Sequence, residues 1–191
     1  MYNFYAYLYR MKYINRWGLM RNTETENIKE HSFDVACLTH ALCLLSEEPV
    51  DTEKAVLMAL YHDLTETITG DLATPVKYFD PEIRTAYKRV ERIAADKLLE
   101  QLPPETAERY RPLIAEQDGP EARLVKAADK LSAYIKCATE LKAGNTEFSA
   151  AAEATLAAVR ALRCQAADLF CEKYLESYLL SLDELKQTGV K

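Results

Sequence analysis

The stretch AVLMALYHD, residues 55–63, contains seven apolar residues followed directly by a histidine and an aspartate. Seven consecutive apolar residues make a helix apolar on every side, which predicts a central, buried helix. We predict this helix over Glu53–Thr67, ending before the break at Gly70. His62 and Asp63 then stand within a core helix, where polar side chains require a partner or a ligand.

The rest of the chain shows helical periodicity on both sides of this stretch, interrupted at a few Gly and Pro residues. Asn27, with Glu30 three residues later, forms a capping-box pattern that predicts a helix running to about Leu45. No convincing alternating strand is found, so the predicted fold is all-α, a single-domain helical bundle over residues 1–191. The other predicted helices cover residues 2–13, 81–101, 105–115 and 121–141, with one or two more over 146–186, and the predicted loops cover residues 15–26 and 71–78.

Composition excludes several classes of function. A chain of 191 residues suits one domain, and its net charge of −6 comes without the basic stripe of a general nucleic-acid binder. The N-terminus is neither a signal peptide nor a membrane span, so we expect a cytoplasmic protein without a membrane partner. The five cysteines are odd in number, lack a C-x-x-C pair and lie in apolar helical stretches, which predicts buried, reduced thiols.

Three segments place polar residues on faces predicted to be buried. His62 and Asp63 follow the apolar run, Asp129 lies on an apolar stripe, and His31 precedes an inward surface predicted to include Phe33. An interhelical salt bridge is the alternative for Asp129 taken alone, and a structural role is the alternative for a lone histidine. Together, two imidazoles and two carboxylates suit a divalent transition metal better than Ca²⁺ or Mg²⁺.

Other residue types nearby suit phosphate chemistry. The planar guanidinium of Arg16 can hold two phosphate oxygens, and its loop leads to the predicted start of a helix, a favourable place for an anion. Glu66 lies on the same predicted helix side as His62 and can take or give a proton. Taken alone, Arg16 and Glu66 could equally be surface residues. Trp17 could stack on a ligand or anchor a dimer contact or the core, and Asp71 could bind a sugar hydroxyl or cap a turn.

The order of His31, His62-Asp63 and Asp129 resembles the H…HD…D signature of the HD-domain phosphohydrolase superfamily. The sequence resembles the YfbR-type 5′-deoxynucleotidases more closely, over nearly the whole chain. It departs from their pattern at Gly18 and Ala73, where that family has Pro. The motifs that carry the resemblance are INRW and LMRN within residues 14–22, TEN and EHS within 25–32, YHD with Glu66, TGDL and TPVKYF within 69–79, and AD, AY, KC and AGN within 128–145.

The resemblance implies a metal-dependent phosphomonoesterase that hydrolyses 2′-deoxy- or ribonucleoside 5′-monophosphates to nucleoside and phosphate. It implies a cytoplasmic homodimer that uses one divalent transition metal, such as Co or Mn. The implied metal ligands are His31, His62, Asp63 and Asp129.

The resemblance also implies roles toward the substrate. Arg16 would orient the phosphate, and Trp17 would lie against the sugar and disfavour a 2′-hydroxyl. Glu66 would be the acid/base residue near the metal-bound water. The remaining residues expected at the substrate are His31, Asp63, Asp71, Leu72, Ala73 and Thr74.

Two alternatives remain open at the level of sequence. Another HD phosphohydrolase activity, on cyclic nucleotides or nucleotide alarmones, would use the same ligand set and would be distinguished by a substrate panel. A catalytically silent nucleotide-binding domain would be expected to have lost at least one of the residues named above, whereas this chain has them all.

Overall fold

The structure, a computed structural model, describes residues 1–115 and 118–188. Side-chain caps set the starts of the two helices that lead to the site. The Asn27 side chain accepts from the amides of Lys29 and Glu30, and Glu30 Oε2 accepts from the Asn27 amide at 3.1 Å. Asp51 accepts from the Lys54 amide at the start of the next helix. The predicted capping box is therefore present, and it fixes the first turn that carries a predicted metal ligand.

The described residues form helices joined by turns and loops, without a β-strand, so the all-α prediction is confirmed. An isolated antiparallel bridge joins Asn15 to Asn27. The α-helices are α1 (Phe4–Arg10), α2 (Ile28–Leu45), α3 (Thr52–Tyr61), α4 (Glu66–Thr69), α5 (Thr74–Lys77), α6 (Pro81–Leu99), α7 (Pro104–Ile114), α8 (Pro120–Lys142), α9 (Ser149–Ala161), α10 (Gln165–Tyr174) and α11 (Leu182–Thr188). Short 3₁₀ helices cover Met11–Tyr13, Thr146–Phe148 and Leu175–Leu179.

The central helix is shorter than predicted. Instead of reaching Thr67, α3 ends at Tyr61, and turns lead from there into α4. The carbonyl of Ala59, near the end of α3, accepts from Nδ1 of His62 at 2.7 Å. A side chain thus satisfies a helix-end carbonyl, and the next backbone bonds span only three residues, as between the Leu64 amide and the Tyr61 carbonyl.

Other predictions also need correction. Pro75 lies in the first turn of α5, where proline is tolerated, so the predicted loop 71–78 contains a helical turn. Residues 146–186 were predicted to form one or two helices. The structure has α9 and α10 there, separated where Arg163 adopts a φ of 49°, and a third helix, α11, follows them. Phe33 is 63% exposed rather than inward. All five cysteines are free as predicted, but only Cys43 and Cys137 are buried, whereas Cys37 is exposed and the other two are half-buried.

Three helices form the main core and carry the site. Helix α3 packs against both α2 and α8. Buried side chains such as Val35, Met58 and Leu131 fill the space between them, and no residue from 55 to 61 is exposed. The predicted central helix is thus confirmed, and the three segments with predicted metal ligands converge on one region. None of the helices in the described ranges has the length and apolar character needed to span a bilayer.

Candidate active site

Two histidines and an aspartate form a compact cluster at the end of α3. Potential ligand atoms of His31, His62 and Asp63 all lie within 4.8 Å of one another. Oδ2 of Asp63 lies 3.2 Å from Nε2 of His62 and 3.7 Å from Nε2 of His31. The His31 side chain is fully buried, and the other two are 15% and 21% exposed. This geometry brings together residues from α2 and from the turn after α3.

Each imidazole is oriented by a contact on its far side. Nδ1 of His62 donates to the Ala59 carbonyl, which leaves Nε2 with a lone pair directed at the cluster. Nδ1 of His31 faces the Ser132 hydroxyl at 3.1 Å. The buried Nε2 of His62 has no hydrogen-bond partner of acceptable geometry. In the neutral imidazole this nitrogen is a buried acceptor without a donor, which costs free energy, and a proton or a metal ion would satisfy it.

The fourth predicted ligand adjoins the cluster through His31. Oδ1 of Asp129, on α8, lies 3.2 Å from Nε2 of His31. Its other oxygen, Oδ2, accepts from Nζ of Lys130 at 2.9 Å. The structure therefore brings all four residues that were predicted as ligands to one side of α3, with Asp129 positioned from the opposite helix.

Negative charge dominates this cluster. Burial raises the pKa of a carboxyl group, but the imidazole of His62 beside Asp63 outweighs it and holds the pKa of Asp63 well below its usual range. The pKa of Asp129 is lowered in the same way, chiefly by His31 and Lys130. The pKa of His62 is raised because Asp63 outweighs the effect of burial. Two ionised carboxylates in a buried site attract a cation, and a metal would compete with the proton on His62.

Arg16 provides a buried positive charge beside the cluster. Its side chain is 15% exposed, and its Nη1 is buried without a hydrogen-bond partner. Burial lowers the pKa of a guanidinium, but Glu26 and Asp63 outweigh this and raise the pKa of Arg16. Nη1 lies 3.7 Å from Oε1 of Glu26, within ion-pair distance but without a hydrogen bond, so this permanently charged group can still donate to an anionic ligand.

The helix start beside this arginine does not provide the free anion site that its position suggested. The amides of Lys29 and Glu30, in the first turn of α2, already donate to the Asn27 side chain. An internal cap occupies the donors that an anion would use. Arg16 is thus the donor with free capacity at this end of the site.

Glu66 begins α4 and lies near the same charges. Its Oε2 is buried without a hydrogen-bond partner. Burial, with the nearby carboxylates of Asp63 and Asp71, raises the pKa of Glu66 to about 10. With the protein's own residues alone, this carboxyl group holds a proton at neutral pH, and a bound cation would lower its pKa. The prediction that Glu66 shares a helix with His62 is wrong, because Glu66 lies on the short helix that follows.

Trp17 and Asp71 were both predicted to face the nucleoside, and their surroundings differ. The indole of Trp17 packs against Phe148 with ring centroids 5.4 Å apart, and its Nε1 donates to Glu26 at 2.9 Å. Asp71 is exposed, and burial of part of the carboxyl raises its pKa despite the charge of Arg16. The other three residues predicted at the substrate, Leu72, Ala73 and Thr74, lie between Asp71 and the first turn of α5.

Side chains that contact the site, but were not predicted to have a role there, include those of Lys130, Ser132 and Glu26. Ser132 follows Asp129 by three positions on α8, and this helical spacing could have indicated that the two share a face. Glu26 contacts Trp17 and lies 3.5 Å from Nδ1 of His31. Its position in a polar loop gave no comparable signal, because the loop conformation decides which way the side chain points.

A sequence model of the family described as 5′-deoxynucleotidase YfbR-like matches residues 3–178. The chain belongs to this family. The predicted resemblance to YfbR-type enzymes of the HD-domain superfamily is therefore confirmed.

Curated relatives agree with membership of the YfbR-like family. The 5′-deoxynucleotidase of Erwinia tasmaniensis is 47% identical over 194 residues, with 98% of both chains covered. The 5′-deoxynucleotidase YfbR of Escherichia coli is 47% identical over 191 residues, covering 97% of this chain and 96% of that protein. These names confirm the predicted hydrolase class.

Solved structures share the fold of this YfbR-like chain. An HD-domain phosphohydrolase from Listeria innocua superposes with a TM-score of 0.83 at 23% identity, covering 96% of this chain and 92% of that one. The cyanophage S-2L HD phosphohydrolase, solved with dA and one catalytic Zn²⁺ ion, gives a TM-score of 0.67 at 23% identity, with 90% and 96% covered. At such identities these similarities establish the HD-domain fold.

Proposed function

We propose that this chain hydrolyses nucleoside 5′-monophosphates, with a preference for 2′-deoxy sugars, to nucleoside and inorganic phosphate. The observation that carries the proposal is a pair of buried nitrogens without a hydrogen bond, Nε2 of His62 in the carboxylate-rich cluster and Nη1 of Arg16. One atom fits a metal ion and the other fits a phosphate oxygen. The charges of Asp63 and Asp129 act on Arg16 and raise its pKa, which indicates that its guanidinium lies near the cluster. The names of the 47% identical relatives support the substrate class.

The metal is proposed to be one divalent transition ion held by the four predicted ligands, His31, His62, Asp63 and Asp129. Nitrogen and oxygen donors together favour Co, Mn, Zn or a similar ion. The phage HD phosphohydrolase, which holds one Zn²⁺, supports a single-ion site. When bound, such an ion supplies a Lewis acid that polarises a phosphoryl oxygen and makes water more acidic.

Arg16 is proposed to bind the phosphate. Phosphoryl transfer depends mainly on positioning and on neutralising the charge of the equatorial oxygens, and a buried guanidinium provides both. The 15% exposure of Arg16 keeps solvent from screening its charge. The carboxylates of Glu26, Asp63 and Asp129 raise its pKa further, so the guanidinium stays protonated.

Glu66 is proposed to move the proton. Water attacks phosphorus, the bond between phosphorus and the 5′-oxygen breaks, and that oxygen needs a proton to leave as the nucleoside hydroxyl. Burial and the nearby carboxylates raise the pKa of Glu66, which opposes the lowering by a bound cation and keeps its carboxyl group suited to give a proton to this oxygen. The proton lost by the attacking water can return the carboxyl group to its starting state.

The nucleoside is proposed to lie between Trp17 and the segment from Asp71 to Thr74. The indole of Trp17 is fixed by Glu26 and Phe148, so it can act as a rigid wall against a 2′-hydroxyl. Asp71 offers an acceptor for a sugar hydroxyl. At Gly18, the residue after Trp17, an added Cβ would meet no heavy atom within 4 Å outside its chain neighbours, so open space surrounds this position.

The homodimeric and cytoplasmic states implied by the family resemblance remain proposals. Exposed apolar rings at Tyr5, Tyr9 and Phe33 offer candidate contacts for a second copy. The free cysteines are compatible with a reducing compartment. Sedimentation of the purified protein would test the dimer directly.

The decisive test is phosphate release from matched deoxy- and ribonucleoside 5′-monophosphates by chelator-treated protein resupplied with Co²⁺, Mn²⁺, Mg²⁺ or Zn²⁺. We expect a transition ion to restore activity, with the deoxy substrate preferred. Equal activity on the deoxy and ribo substrates would support the proposed nucleotidase activity but contradict the proposed role of Trp17. Absence of activity with every ion would contradict the proposed function, and a panel of cyclic nucleotides and alarmones would follow.

A further inference from the structure

One carboxylate, that of Glu26, lies behind three residues of the site. Its Oε2 accepts from Nε1 of Trp17 at 2.9 Å. Its Oε1 lies 3.7 Å from Nη1 of Arg16 and 3.5 Å from Nδ1 of His31. The Glu26 side chain is only 12% exposed, so solvent screens these interactions weakly.

The backbone closes the same loop. The Arg16 amide donates to the Glu26 carbonyl at 2.9 Å, and the bridge between Asn15 and Asn27 lies next to it. The two ends of the loop that contains Trp17 are therefore tied together at Glu26. Side-chain and backbone groups of this residue act on the same short segment.

Trp17 needs such support because its backbone is in an unfavourable region. Its φ is 59°, a conformation that bulky side chains rarely adopt because of steric conflict with the backbone. Such a conformation persists when surrounding contacts overdetermine it, and it is common at functional sites. The bond from Nε1 to Glu26 and the packing on Phe148 are two of these contacts.

We propose that Glu26 is a positioning residue that sets the phosphate-binding arginine and the sugar-facing tryptophan in one fixed relation. The inference rests on the proposed function, which gives Arg16 and Trp17 their roles. Only a carboxylate suits this position, because its two oxygens are both acceptors and each faces a donor. An amide of the same shape offers one acceptor, so it must turn an NH₂ group toward one of those donors.

The test compares Glu26→Gln and Glu26→Asp with the matched control Glu24→Gln. Glu24 is an exposed residue of the same loop, and its replacement removes the same charge. KM, kcat and the ratio of deoxy to ribo activity are measured for each metal-loaded protein. Emission of Trp17 is recorded as well, since it is the only tryptophan of the chain.

We expect Glu26→Gln to raise KM for the deoxynucleotide about tenfold, equivalent to one lost charge-assisted hydrogen bond, with a smaller change in kcat. In the same variant, the ratio of activity on the deoxynucleotide to activity on the ribonucleotide falls. Glu26→Asp keeps the charge but is one methylene shorter. Its KM should therefore lie between those of the wild type and Glu26→Gln, and the emission of Trp17 should shift. Glu24→Gln behaves like the wild type in every measurement.

The inference is overturned if both Glu26 variants keep the wild-type KM and sugar ratio, or if Glu24→Gln reproduces their changes. Failure of the proposed function has a different signature, because then the wild type and Glu24→Gln release no phosphate from any nucleoside monophosphate. Circular dichroism of each variant establishes that the fold is intact. Should Glu26→Gln not fold, Glu26→Asp still decides the outcome through its emission and sugar ratio.

Discussion

Oδ1 of Asp129 lies 3.2 Å from Nε2 of His31, although 98 positions separate them in the chain. The contact joins α8 to α2, while the other oxygen of the same carboxylate accepts from Nζ of Lys130. Asp129 is thereby directed at the nitrogen that faces the cluster. The contact fits both a metal ligand and an interhelical ion pair, and a substitution at Asp129 distinguishes the two.

We predict that Asp129→Ala loses the metal ion. A ligand that is removed should weaken metal affinity by more than the roughly 10–100-fold typical of residues that only orient a ligand. Metal content after gel filtration, by elemental analysis, and competition with a chromophoric chelator would measure the loss. Asp168→Ala, which removes an exposed carboxylate from α10, serves as the control. Unchanged metal content in Asp129→Ala would show that the four-ligand site is wrong.

Glu66 is predicted to act on the proton and not on the metal. Glu66→Gln keeps the shape of the side chain but cannot exchange a proton, so we expect kcat to fall by about 10²–10⁴-fold. Metal content should match that of the wild type, because the clustered potential ligands are His31, His62 and Asp63. Single-turnover phosphate release and elemental analysis measure the two quantities separately.

The control for this change is Glu82→Gln, an exposed carboxylate in the first turn of α6. It should leave both kcat and metal content unchanged. If Glu66→Gln retained near-normal turnover, the proton-transfer role would have to move to another group. If it lost its metal instead, Glu66 would be reassigned as part of the metal site.

Glu140 is predicted to stabilise the fold around the loop of Arg16. Its carboxylate is 2% exposed and accepts hydrogen bonds from Thr23, Asn145 and Lys136. Burial raises the pKa of a carboxyl, but these donors outweigh it and hold the pKa of Glu140 well below its usual range. We expect Glu140→Gln to lower the free energy of unfolding at pH 7 by about 1–3 kcal/mol.

The pH dependence of this effect follows from the sign of the shift. A lowered pKa in the folded state means that the stabilisation is present above the ordinary pKa of 4.5 and is lost as the pH falls below it. The difference between wild type and Glu140→Gln should therefore shrink on acidification. Urea unfolding at pH 7 and pH 4 measures it, with Glu153→Gln on α9 as an exposed control. A difference that does not change with pH would contradict the assignment.

Much of the fold could be predicted from local pattern. The capping box at Asn27, the apolar run before His62 and the breaks near Pro104 and Pro120 act through neighbours in the chain, so their effect is visible in the sequence. The helix end at Tyr61 was missed because it depends on a contact of the His62 ring with the Ala59 carbonyl. Periodicity does not record a side chain that takes the place of a helical hydrogen bond.

The sequence by itself determined the all-α class, the family and the set of residues from which the metal site is proposed. It could do so because helix periodicity is local and because an ordered set of polar residues on apolar faces is a chemical signal. Only the tertiary structure decided that Nε2 of His62 makes no hydrogen bond, that Asp129 contacts His31, and that Glu26 faces both Arg16 and Trp17. These relations arise from the packing of α2, α3 and α8 and from a loop conformation, both of which join residues distant in the chain.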